Sequence, residues 1–189
     1  MDYETSVILG RYQIRLIAGL FRKMFNIKTV VFPVMKVLEM LVTRFEKKLF
    51  YVVEEDSLFE KGVMAELVSE EDIYYIRIRQ GVYDKANDGD RASICYICHE
   101  MCHFFLIHVM GIGPKMFCTS EGLVYTRKVV EKTIPSYKSM EWQTKALCGE
   151  VMIPYRKCKN YTYKQIVYRT KSSNSQAKYF IEKVLKFNE

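Results

Sequence analysis

The sequence predicts an α+β chain in which helices pack around a small antiparallel three-stranded sheet, with a helical module at the C-terminal end. Three observations carry that expectation. Apolar residues recur at helical spacing in long stretches before residue 48 and after residue 90. Between them lie three short runs rich in aromatic and β-branched residues, the last two separated by an acidic turn. Beyond residue 154 the chain turns strongly basic and reads as short helices. The 189 residues suit one domain with a small appendage, divided here as 1–154 and 155–189.

Residues 4–25 place Val7, Ile8, Ile14, Leu16, Ile17, Leu20, Phe21 and Phe25 between arginines, the pattern of a helix. A second helix is expected over 33–47, opened by Pro33 and lined by Val37, Leu38, Leu41, Val42 and Phe45. Both are expected to cover the sheet. The strands are predicted at 49–53, 62–68 and 73–79, with Ser69-Glu70-Glu71-Asp72 turning the last two into a hairpin. In the third, Tyr74, Ile76 and Ile78 alternate with Tyr75, Arg77 and Arg79, so one face is buried and one is wet.

Asn87-Asp88-Gly89-Asp90 breaks the pattern, and Asp90 is placed to cap a helix over 91–110. Gly111-Ile112-Gly113-Pro114 ends it. Residues 111–138 read as a long connection with a hairpin around 123–130. A helix over 141–153 then stops at Pro154. Two short helices, 162–170 and 175–186, flank Lys171-Ser172-Ser173-Asn174.

Hydrophobic residues make up 49% and charged residues 27%, which excludes a disordered chain. No uninterrupted apolar run reaches the roughly 18 residues of a membrane span, so no membrane association is expected. Asp2 and Glu4 stand where a signal peptide carries basic residues, which predicts a cytoplasmic protein. The six cysteines are then reduced thiols and not a disulfide framework. The net charge is +7, and its whole excess lies in 155–189, with nine basic and two acidic side chains. Such an end can approach an acidic protein or nucleic acid, or be a solvated helix face.

The chemistry concentrates in Ile94-Cys95-Tyr96-Ile97-Cys98-His99-Glu100-Met101-Cys102-His103. His99 and His103 are four residues apart and share one helix face, so both can hold one metal ion. Glu100 stands beside them as a base for a water molecule. Cys95-Tyr96-Ile97-Cys98-His99 also matches a haem attachment pattern, which requires an oxidising compartment that this reading excludes. Cys95, Cys98 and Cys102 run along one stripe and cannot enclose an ion without donors from elsewhere, so they read as small buried apolar groups. His108 is too far round the helix to join the pair. A third ligand is needed, and spacing leaves Glu121, Glu131, Glu141 and Glu150 open.

The stretch from Glu141 to Pro154, EWQTKALCGEVMIP, resembles the second signature of the ImmA/IrrE family of metallopeptidases. The arginine-led helix from Arg91 to His103 resembles the first. The similarity spans roughly residues 30–187. Thr144-Lys145 stands where that signature has Ala-Asn, Cys148 stands at a usual alanine, and the connection to Glu141 is longer than typical.

The resemblance implies a zincin-like fold, with Zn2+ held by His99, His103 and Glu141 and with Glu100 as the catalytic base. It also implies a zinc-dependent endopeptidase that cleaves a helix-turn-helix transcriptional repressor and so relieves repression in a mobile element, prophage or stress response. The C-terminal helices, with Ala177 after their turn, read as a helix-turn-helix-like module that grips the protein substrate. Tyr125 and Tyr137 are candidates to stabilise an oxyanion. The alternative is a DNA- or repressor-binding regulatory protein whose metal site is structural or inactive; its basic tail would contact DNA directly.

Overall fold

The computed structural model describes residues 2–119, 122–125 and 135–186. It is an α+β fold built around one central helix, α4 (Arg91–Phe104), whose Ile97, Cys98, Met101, Cys102 and Phe104 are fully buried. Asp90 caps it as expected, its carboxylate accepting from the Ser93 backbone N–H at 2.8 Å. One wide turn, Phe105–Val109, extends α4 with i→i+5 hydrogen bonding. The continuous helix Arg91–Val109 is long and apolar enough by length and composition to cross a membrane, and half of it is buried inside the fold.

The sheet is mixed, where an all-antiparallel sheet was expected. β2 (Ala65–Glu70) and β3 (Ile73–Arg79) form the antiparallel hairpin, but β1 (Leu49–Glu54) lies parallel to β3 on its other side, giving the order β1-β3-β2. The alternation of a strand records which face is buried, not which neighbour it takes. The wet face supplies a reason for the order. Arg77 in the centre is flanked by Glu54 of β1 at 2.7 Å and Glu66 of β2 at 2.6 Å, so one cation is shared between two edge strands. On the dry face Leu49, Ile76 and Ile78 are fully buried.

The hairpin closes through Glu71 and Asp72, both with positive φ (48° and 65°), the geometry of a two-residue type I′ turn. Glutamate is poorly suited to that region, and glycine suits the second turn position better than aspartate does. Asp72→Gly is therefore expected to stabilise the fold by about 0.5–1 kcal/mol, read as a higher urea midpoint at unchanged slope.

The N-terminal helix α1 begins at Arg11, not at residue 4, and ends at Met24. Residues before it run extended. Thr5 donates to the Lys138 carbonyl (2.8 Å) and Ser6 to that of Gly113 (2.9 Å), while Met140 donates to the Tyr3 carbonyl (2.9 Å). Pairing across the molecule thus replaces the first helical turns. α1 packs chiefly on α5 (Met140–Met152) and not chiefly on the sheet; α2 (Val34–Arg44) packs on β1 and α4. Helix α3 (Gln80–Asn87), which no sequence signal set apart, joins β3 to α4.

The hairpin of the long connection is formed by β4 (Met116–Thr119) and β5 (Gly122–Tyr125), earlier than expected; residues 126–130 lie outside the described residues. After α5 come α6 (Tyr155–Cys158), α7 (Tyr163–Thr170) and α8 (Asn174–Tyr179), the last extended by a second wide turn, Phe180–Val184. Thr162 and Ser173 open α7 and α8 with reciprocal capping boxes. Ile166, Ala177, Phe180 and Val184 are buried in the same apolar core as α4 and α5.

Candidate metal centre

The site forms where α4 and α5 cross. One helical turn stacks His99 over His103 on the α4 face toward α5, with ring centroids 4.7 Å apart and Nε2 atoms 3.1 Å apart. Glu141 enters from the first turn of α5. Its Oε2 lies 3.1 Å from His103 Nε2, and its Oε1 lies 3.2 Å from His99 Nε2.

Two imidazole nitrogens and a carboxylate thus converge on one point. Four donors held tetrahedrally at about 2.0–2.2 Å from zinc stand about 3.3–3.5 Å apart. The observed 3.1–3.3 Å separations fit that set with a small expansion. The side chains are 16%, 17% and 31% exposed, which leaves an approach for water and substrate. Among the described residues this is the histidine-containing group that can hold a metal ion.

The electrostatics agree. Burial works against ionisation of Glu141, but hydrogen bonds to His103 and His99 outweigh it and hold the carboxyl well below the usual range. Burial likewise works against protonation of His99, yet the Glu141 bond and the charges of Glu100 and Glu141 raise its pKa.

Glu100, on the same helix between the two histidines, is buried at 8% exposed. Burial raises its pKa, and the nearby imidazoles oppose that rise. A carboxyl shifted upward in this way is a better proton acceptor than a solvated one.

Thr144 and Lys145, two of the positions at which the sequence differs from the ImmA/IrrE signature, both contact the site residues. Thr144 donates its hydroxyl to the Met140 carbonyl (3.0 Å), so its oxygen is free to accept from His103 Nδ1 at 3.1 Å. That places the His103 proton on Nδ1 and leaves Nε2 as a ligand atom. Lys145 reaches Glu141 Oε1 at 3.1 Å, a pair that is mostly solvated on the lysine side. Thr144→Val is expected to weaken metal binding about 10–100-fold, while Thr144→Ser retains it; competition with a chelating dye measures both.

Sequence reasoning missed the groups that hold α5 in place. Ser139 caps the helix by accepting from Trp142 N–H (2.8 Å), and its hydroxyl donates to Asp2 (2.7 Å). Asp2 also accepts from the Glu141 backbone N–H at 3.1 Å. A serine just before a helix was a readable signal. The partnership with a residue 137 positions away was not.

The other candidates fall elsewhere. Glu150 pairs with Arg15 at 3.1 Å, and that guanidinium lies 3.7 Å over the Tyr155 ring. Glu121 and Glu131 lie outside the described residues, as does the side chain of Tyr125. Tyr137 is 52% exposed, in the short helical turn just before α5. His108 stacks on Phe104 at 5.0 Å and meets Phe45 and Tyr74 edge-on, so it belongs to an aromatic cluster. A largely apolar cavity of about 440 Å³ adjoins the site, with His99, Lys145, Trp142 and Tyr179 in its walls. Compared with known proteins, the chain matches no family model, no curated protein and no solved structure.

Proposed function

We propose that this chain is a zinc-dependent endopeptidase of zincin-like architecture that cleaves a helix-turn-helix repressor in the cytoplasm. The observation that carries this reading is the convergence of His99, His103 and Glu141 within 3.1–3.3 Å, with buried Glu100 on the same helix. The resemblance of both helices to the ImmA/IrrE signatures supports it and suggests the substrate.

His99, His103 and Glu141 would hold the zinc. When bound there, zinc supplies Lewis acidity, bringing the pKa of a water toward ~7 and polarising a scissile carbonyl. Glu100 takes the proton from the attacking water on its carboxylate and hands it to the leaving amine. Thr144 keeps His103 in the ligating tautomer. Among the described strands none pairs with the outer edge of β2, so that edge, next to Glu100, can take an extended peptide by strand addition. The basic surface of 155–186 would favour an acidic substrate protein. Direct DNA contact gains less support, because α8 and its extension turn Ala177, Phe180 and Val184 into the core.

The test is to incubate the purified, zinc-loaded protein with the repressor encoded beside it and read intact masses. Two complementary fragments are expected. An intact repressor beside fully zinc-loaded protein would overturn the reading. In Glu141→Ala the zinc content is expected to fall well below one equivalent at the histidine site; full occupancy would assign the third ligand elsewhere.

A further inference from the structure

Deeper in the α4–α5 contact lies a second group of donor atoms that the peptidase reading does not use. Cys98 and Cys102 stand one turn apart on α4, and Cys148 faces them from α5. Their three Sγ atoms all lie within 4.8 Å of one another. All three are free thiols and no more than 2% exposed. The donor missing from the single stripe on α4 is supplied by the second helix.

More sulfur surrounds the triangle. Cys148 Sγ lies 4.0 Å from Met152 Sδ. The Gln176 amide on α8 donates to Cys95 Sγ at 3.0 Å and to Met152 Sδ at 3.2 Å. Apolar packing alone needs no such gathering, and a disulfide would use two thiols and strand the third. Three thiolates bound to one centre at about 2.3 Å stand roughly 4 Å apart. The triangle is already within an ångström of that size.

Charge supplies an independent argument. Three thiolates and a divalent cation carry a net charge of −1, which is costly to bury alone. Arg22 is 6% exposed, and its guanidinium donates to the backbone carbonyls of Val151, Thr29 and Val30. Among the described residues no carboxylate pairs with it, and its Val151 partner lies on α5, the helix that carries Cys148. An anionic metal–thiolate centre would place a negative charge in the same part of the core.

We infer that Cys98, Cys102 and Cys148 form a second metal site, for a soft divalent d10 cation such as zinc or cadmium, separate from the His99–His103–Glu141 set. Binding forms three metal–sulfur bonds and releases three thiol protons to solvent, with no change of oxidation state. The cavity beside α8 reaches Cys95 and Cys148 and offers an entry route.

Cadmium added to the full, reduced chain tests this. Two cations per chain are expected, one of them giving a thiolate-to-cadmium charge-transfer band in the ultraviolet. Cys148→Ala should lose that band and one cation. Glu141→Ala should keep the band and lose the other cation. Should Cys148→Ala fail to fold by circular dichroism, cadmium-113 resonances of the wild type decide: one in the thiolate-rich range supports the site. Folded wild type with no such band or resonance would overturn the inference, as would a band that survives in Cys148→Ala. None of these readouts depends on peptidase activity.

Discussion

Glu100→Gln is expected to leave zinc bound and to lower the cleavage rate by about 10²–10⁴-fold or more. Glutamine matches glutamate in size and shape, so the buried side chain keeps its place. It has no carboxylate to take a proton from water. The ligand atoms of His99, His103 and Glu141 are untouched, so metal content and stability should stay at wild-type values. Cleavage followed by mass, beside metal analysis of the same sample, separates the base from the ligands. Retained cleavage would remove Glu100 from its role; lost zinc would show that the substitution acted on the site's geometry.

Phe104→Ala is expected to cost about 3–5 kcal/mol of stability. Phe104 is fully buried at the end of α4. Its ring meets Phe45 at 5.3 Å, Tyr74 at 5.4 Å and His108 at 5.0 Å, joining α2's end, the central strand and the wide turn. These partners come from three separate elements, so none can move in to fill the space without disturbing another. Urea unfolding should show a lower midpoint. A loss under ~1 kcal/mol would mean that the cluster repacks freely. Because His103 precedes Phe104, weaker metal binding should accompany the loss.

The separation between what was readable and what was not follows the range of the interactions. Asp90 capping α4, the two-residue turn between β2 and β3, and the shared face of His99 and His103 all depend on residues within four positions of one another. Local patterns report such features directly. The parallel placement of β1, the edge-on contacts of His108 with Phe45 and Tyr74, and the docking of α1 on α5 join residues far apart in the chain. Helix α3 escaped notice because its eight residues carry only two buried positions, Val82 and Ala86, too few to set a period.

Thr144 shows the same limit at the site itself. In the sequence it is a departure from a signature. In the fold its hydroxyl, fixed by the Met140 carbonyl, orients His103. The cysteines show it again: on α4 alone they form a stripe that cannot enclose an ion, and Cys148 closes the triangle from another helix.

By itself, then, the sequence determined the α+β class and the shared face of His99 and His103 with Glu100 beside them, because helical spacing alone brings those side chains to one turn. Spacing left the third acidic partner open and only the resemblance pointed to Glu141; its meeting with both imidazoles, what holds it there, and the second cluster of donor atoms beneath it were decided by tertiary structure. The physical reason is that a metal ion needs donors from several directions. One helix presents them from one side, and only the crossing of α4 and α5, tied down by Asp2 and Ser139, supplies the other.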